Sequence, residues 1–253
     1  MTSARSRPED VETPVTARPT FLEHRAIQPL LPYMQKYLIK GMQEFKTREN
    51  GGKFKSTDRE MYASQVIERV SELENCLKSL RLAMNFILDL DKDQSDVTDL
   101  YRYHYENFLL RLSGILDRAY RLVGTSLLLD PDKLNKISAN RFVAEAIAAD
   151  YADLHRALTE LSDAVAPHKE ARNSIAHSEA YSTRELGLFT AVTSLNVELG
   201  EIDIGKLMGH YFSEGGAGLA RLVAEMVSRV EALLDALAPI YETAVDDGGN
   251  EFV

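Results

Sequence analysis

Three residues in the stretch "HKEARNSIAHSE" (residues 168–179) are of types that carry chemistry. Arg172 supplies a permanent planar cation whose fork of donors matches carboxylate or phosphate oxygens. His177 supplies an imidazole that gains and loses a proton near neutral pH. Asn173 stands four residues before His177, hence on the same helix face, where its amide can fix the imidazole tautomer. Arg172 and His177 are five apart, about 140° of helical rotation, so one helix cannot aim both at one point. They address a single ligand only in a cleft formed with another helix, or with the same helix of a second subunit.

The surroundings of the stretch leave two readings open. The apolar stripe Ile147, Tyr151, Leu154, Leu158, Leu161, Val165 continues in step onto His168, Arg172 and Ile175, unless Pro167 ends that helix and opens a new one. An arginine on an apolar seam is costly without a counter-charge. Its own helix offers no suitable acid, so Glu106 and Asp117 are the expected partners of a structural Arg172. A histidine at a helix C-terminus is also stabilised by the macrodipole with no chemistry attached.

The elements that must hold these residues are read from a single periodicity. Val66, Val70, Leu73, Leu77, Leu80, Met84 and Ile87 alternate steps of three and four behind a capping box at Thr57 and Glu60. Tyr101, Tyr105, Phe108, Leu112, Ile115, Ala119 and Leu122 do the same, as do Val223, Met226, Val230, Leu233, Leu237 and Ile240. A weaker helix is expected in "LLPYMQKYLIKGMQEF", and a helical turn opens at Pro131. These stripes predict an all-α fold, an antiparallel bundle of four to five long helices. Between the last two, residues 178–216 predict a small β-hairpin or irregular flap, because β-branched residues interrupt the pattern. The glycines of "FSEGGAGLARL" predict a turn ahead of the final helix.

Composition narrows the class. An apolar share of 45% over 253 residues suffices for a core, and the net charge of −10 argues against a general nucleic-acid-coating surface. Cys76 is alone, which excludes an intramolecular disulfide and fits a reducing, cytoplasmic setting. No apolar run approaches the ~20 residues that span a bilayer, so no membrane is expected. No metal and no cofactor are expected, since neither a His-Glu-x-x-His sequence, paired cysteines nor a P-loop occurs. Residues 1–20 read as a flexible leader, 21–245 as one helical-bundle domain, and 246–253 as a tail.

"RNSIAH" (Arg172 to His177) resembles the Arg-polar-x-x-x-His signature of the HEPN superfamily, small helical domains named for nucleotide binding in higher eukaryotes and prokaryotes. The context agrees: a long helical pattern precedes it, the C-terminal helix follows, and "YRYHYENFLLRLSGILDRAYRLV" resembles the helix that such domains pack against the motif. The resemblance covers about residues 58–245. It implies a metal-independent endoribonuclease, or a silent relative serving as an interaction module, in which two motifs face each other across a homodimer. Arg172 would then neutralise the scissile phosphate of RNA. His177 would move a proton at the 2′-hydroxyl or the leaving oxygen, and Asn173 would orient His177 or the phosphate. Such a protein would serve in defence or stress and answer to a regulatory or antitoxin partner. Arg102, His104 and His168 are the further cleft residues expected to bind substrate, with Tyr103 beside them.

Overall fold

Thr57 and Glu60 start the first long helix as their spacing predicts. The Thr57 hydroxyl accepts the Glu60 N–H at 3.2 Å, and the Glu60 carboxylate accepts the Thr57 N–H at 3.0 Å. In the computed structural model, residues 20–47, 52–91, 94, 96–177, 180–197 and 200–246 are described. The expected leader and tail lie outside them, apart from Thr20 and Asp246.

Among the described residues there is no strand. Two 3₁₀ turns, Phe21–Glu23 and Arg25–Leu30, lead into helix α1 (Leu31–Thr47). There follow α2 (Asp58–Leu88), α3 (Val97–Ser126), α4 (Pro131–Leu134), α5 (Ala139–Ile147), α6 (Ala152–Val165), α7 (Lys169–Ala176), α8 (Arg184–Ser194) and α9 (Ile204–Val245).

The predicted stripes are the core. Val66, Val70, Leu73, Leu77, Leu80 and Ile87 of α2 are buried, as are Tyr101, Phe108, Leu112, Ile115, Ala119 and Leu122 of α3. Removing any one of the large aliphatic side chains to alanine costs about 2–5 kcal/mol, transfer and cavity together. The direction of packing is fixed by contacts along the hairpin. Tyr62 donates to the Ser126 carbonyl at 2.9 Å, Cys76 to the Arg111 carbonyl at 3.4 Å, and Phe86 stacks on His104 at 4.6 Å. Rising numbers on α2 meet falling numbers on α3, so the two are antiparallel. At one end the Tyr241 and Ser126 hydroxyls share a 2.8 Å hydrogen bond, and at the other Gly215 lies against Tyr101. Helix α9 therefore runs antiparallel to α2 and alongside α3.

Three sequence expectations are corrected. The stripe 147–165 is not one helix: α5 ends at Ile147, Tyr151 is exposed, and α6 starts at Ala152. In place of the expected hairpin or flap stand α8 and the start of α9, because Thr183 caps α8 by accepting the Leu186 N–H and Asp203 caps α9 by accepting the Lys206 N–H. The glycines of residues 215–218 lie inside α9, not ahead of it, and two of them are where helices touch. A Cβ on Gly215 would stand 2.3 Å from the Tyr101 hydroxyl, and one on Gly216 2.5 Å from Leu88 Cδ2.

Candidate functional site

Pro167 decides the local geometry around the motif. It occupies the opening of a 3₁₀ turn, Ala166–His168, where its missing N–H is harmless. Helix α6 stops at Val165, and α7 begins at Lys169 after that turn. The motif rides on this short helix, with His168, Arg172 and Ile175 each half-buried, in step with the seam of α6. Ala171 and Ile175 turn inward against the core. His177 is the C-terminal cap of α7, with its N–H on the carbonyls of Asn173 (3.0 Å) and Ser174 (3.1 Å).

Arg172 is half-buried. Its Nη1 donates to Asn173 Oδ1 at 2.9 Å, while its buried Nε meets no acceptor. Neither acid expected to neutralise it does so. Glu106 accepts the Tyr181 N–H at 2.6 Å, and Asp117 accepts from Asn140 Nδ2 at 2.7 Å. Among the described residues Arg172 forms no ion pair. Asn173 therefore turns its oxygen to the guanidinium, and the expected amide–imidazole contact with His177 is not formed. The His177 side chain is exposed. An open depression of about 630 Å³ lies beside it, lined by Ala166, Lys169, Glu170, Asn173, Ser174 and His177. A larger hollow of about 930 Å³ lies at the far end of the bundle, between Tyr62, Ser126, Tyr151 and Pro239, and contains none of these residues.

The outlying residues divide. Arg102 is occupied in holding the backbone: Nε donates to the Tyr181 carbonyl (3.1 Å), Nη1 to Asp99 (3.0 Å) and Nη2 to Thr190 (3.4 Å). His104 stacks on Phe86 on the α2 side of α3, and its buried Nδ1 has no partner. Burial disfavours its charged form and lowers its pKa. His168 sits at the turn before α7, and burial lowers its pKa likewise. Of the expected substrate-binding residues, only His168 adjoins the motif in the chain. Sequence reading missed Tyr181, whose N–H and C=O are both gripped by α3 side chains and whose ring stacks on Tyr105 at 4.3 Å. No periodic pattern marks it. Among the described residues no group of three or more His, Cys, Asp or Glu could hold a metal ion, and no helix is long and apolar enough to cross a membrane.

A separate helix bearing Arg172 and His177, seated on the tyrosine-rich α3, is the arrangement that the sequence resemblance implies. The family model for Cthe2314-like HEPN domains matches residues 53–210, more than half of the chain. The chain belongs to the HEPN family. The match begins just ahead of α2, takes in the whole motif helix and stops inside α9. No curated protein and no solved structure matches the chain. Within this HEPN protein, the segments outside the match, residues 20–47 and the greater part of α9, still belong to the core through Ile27, Leu30, Met226, Val230, Leu233 and Leu237.

Proposed function

We propose that this HEPN protein is a metal-independent endoribonuclease whose site is shared between two copies of the chain. The observation that carries the reading is Arg172. Among the described residues its guanidinium has no carboxylate partner, and it holds Asn173 at the edge of an open depression where the His177 imidazole is exposed. A cation without a counter-ion among the described residues is available to a phosphate, and arginine matches phosphate oxygens with two parallel donors. The silent-module alternative relies on an internal acid for Arg172, and both candidate acids are engaged elsewhere.

RNA supplies its own nucleophile. The 2′-oxygen attacks the adjacent phosphorus while its proton passes to His177. The bond from phosphorus to the 5′-oxygen breaks, and that oxygen takes up a proton. The products are a 2′,3′-cyclic phosphate and a 5′-hydroxyl. Arg172 stabilises the charge that develops on the non-bridging oxygens. The divergence of Arg172 and His177 on α7 is resolved when each site takes its arginine from one copy and its histidine from the other.

The test uses the full chain with single-stranded RNA in EDTA. Arg172→Ala and His177→Ala are each expected to lower cleavage by about 10²–10⁴-fold with helical content unchanged. Mixing the two inactive proteins should restore activity, because a mixed dimer contains one site with both residues intact. With random exchange, half the dimers are mixed and carry one good site of two, about a quarter of the original activity. Cleavage by the original chain that survives both substitutions rejects the proposal, and so does the absence of any cleavage.

A further inference from the structure

Helix α1 lies at the outside of the bundle, packed on α2 and on the Arg25–Leu30 turn. Its inner side is marked by two residues. Lys40 reaches Glu60 of α2 at 2.6 and 2.8 Å, and the buried Glu44 accepts the Gly52 N–H at 3.1 Å. Leu38, Met42 and Phe45, at steps of four and three, stand on the side turned away from α2, with Ile39 beside them. Leu38 is 50% exposed, Ile39 57%, Met42 64% and Phe45 67%, although apolar residues at this spacing ordinarily face a core. Large apolar side chains exposed as one ridge mark a contact surface, where a single exposed one would not. Residues 31–47 lie outside the stretch that the family model matches, so the ridge is no part of the matched HEPN region.

The charge around the ridge is opposite to that of the chain. The whole protein has a net charge of −10, yet residues 31–57 hold five lysines and one arginine against two glutamates. Exposed lysines stand on both sides of the ridge. Lys46 follows Met42 by one turn and Ile39 by two, which sets it on the Ile39 side. On the other side the Phe54 ring meets Tyr37 edge-on at 5.0 Å and lies 3.3 Å from where a Cβ on Gly41 would stand. That contact lays the exposed Lys53 and Lys55 along the second flank. Glu44, the one acid of α1, is turned inward and neutralises neither flank.

We infer that α1 lies on an anionic lipid surface, with the ridge at the boundary between headgroups and acyl chains and the flanking lysines among the phosphates. An interfacial helix has this pattern: an apolar strip immersed to a shallow depth, bordered by cations that meet anionic lipid. The contact is with one leaflet, since no described helix is long and apolar enough to cross a membrane. Cations on both flanks fit a plane of negative headgroups that extends to either side, whereas a partner helix laid along the ridge would pair with fewer of them. A second copy fits worse. Joining two ridges would set lysines beside lysines on both flanks, and like charges brought together at an interface are costly. The acidic remainder of the protein does not cancel the attraction, because exposed charges farther than about 8 Å are largely screened at physiological ionic strength.

The experiment floats the full chain with lipid vesicles on a density gradient. Vesicles of equal parts phosphatidylcholine and phosphatidylserine should carry the protein upward, and vesicles of phosphatidylcholine alone should leave it behind. Met42→Glu should lower the bound fraction by about tenfold or more, because it places a carboxylate in the apolar strip. Lys46→Gln and Lys53→Gln should each lower binding by about fivefold, the effect of one cation near a charged surface. All three positions are exposed, so helical content and thermal unfolding should match those of the original chain. Absence of flotation overturns the inference, as does equal flotation with both kinds of vesicle or a Met42→Glu protein that binds like the original. An acidic amphipathic peptide that binds the ridge while vesicles do not assigns the ridge to a protein partner and rejects the lipid contact. A solution mass that falls from twice 28.4 kDa to 28.4 kDa in Met42→Glu rejects it too, since a second copy then covers the ridge.

Discussion

Glu60 performs two tasks with one buried carboxylate. It closes the capping box of α2 through the Thr57 N–H and receives the Lys40 ammonium at 2.6 and 2.8 Å, tying α1 to α2. The Lys40 hydrogen bond, and after it the Thr57 N–H, hold its pKa below the ordinary carboxylate value of 4.5. A depressed folded pKa means that the unfolded chain binds the proton more readily. The contribution to stability is therefore complete above pH 4.5 and is lost as the pH falls through the lower folded value. Thermal unfolding of the original chain and of Glu60→Gln should differ by a constant gap above pH 4.5 that narrows on acidification; a gap that stays constant down the acid limb contradicts this. The same residue shows what a sequence makes legible. Thr57 and Glu60 are three apart, so their bond is written locally. The partners of Glu106 and Asp117 are Tyr181 and Asn140, set by how α3 meets segments far along the chain, and no spacing rule identifies them.

Among the elements, α9 tests how much the glycines matter. Glycine in a helix interior costs about 0.5–1 kcal/mol relative to alanine. Gly218 has nothing within 4 Å of where a Cβ would be, so Gly218→Ala should raise stability by roughly that amount. Gly215 faces the hydroxyl of Tyr101, a side chain 2% exposed with nowhere to move. Gly215→Ala should therefore lose roughly 1–3 kcal/mol to overpacking, less the gain in propensity. Denaturant midpoints of the two proteins should move in opposite directions; a shift in the same direction would refute the close approach of α9 to α3. Two of the three glycines in "EGGAG" permit helix contact, and for that reason the stretch misleads as a turn signal. Helix α8 was hidden by Thr190, Val192 and Thr193, whose branching lowers helix preference while tertiary contacts through Leu186 and Phe189 hold the helix. The stripes of α2 and α3, buried along their length, were plain in the sequence because one face meets one core.

For the whole molecule, the family match and the folding unit have different limits. Residues 53–210 contain the motif helix and the α2–α3 hairpin, yet they omit α9 beyond His210 and the 3₁₀ turn at Arg25–Leu30 that packs on it. Leu219, Met226, Val230, Leu233, Leu237 and Tyr241 would be missing from the core, together with the hydroxyl that Ser126 meets. Each such loss costs several kcal/mol against a typical total of about 5–15 kcal/mol. A protein cut to residues 53–210 should show no cooperative thermal transition by circular dichroism, whereas residues 20–246 should unfold as the full chain does. A sharp transition in the shorter protein would mean that α9 is an accessory.

The aromatic cluster where α3, α8 and α9 meet has a practical consequence. Tyr101, Tyr105, Tyr181 and Tyr211 stand in mutual ring contact beside the segment that leaves the motif helix, and burial raises the phenol pKa of Tyr101, Tyr181 and Tyr211. The chain contains no tryptophan to mask them. Its intrinsic ultraviolet emission and its alkaline absorbance are thus dominated by eleven phenols, four of them packed at this junction. An occupant that displaces the Tyr181 segment would announce itself optically, in the unlabelled protein.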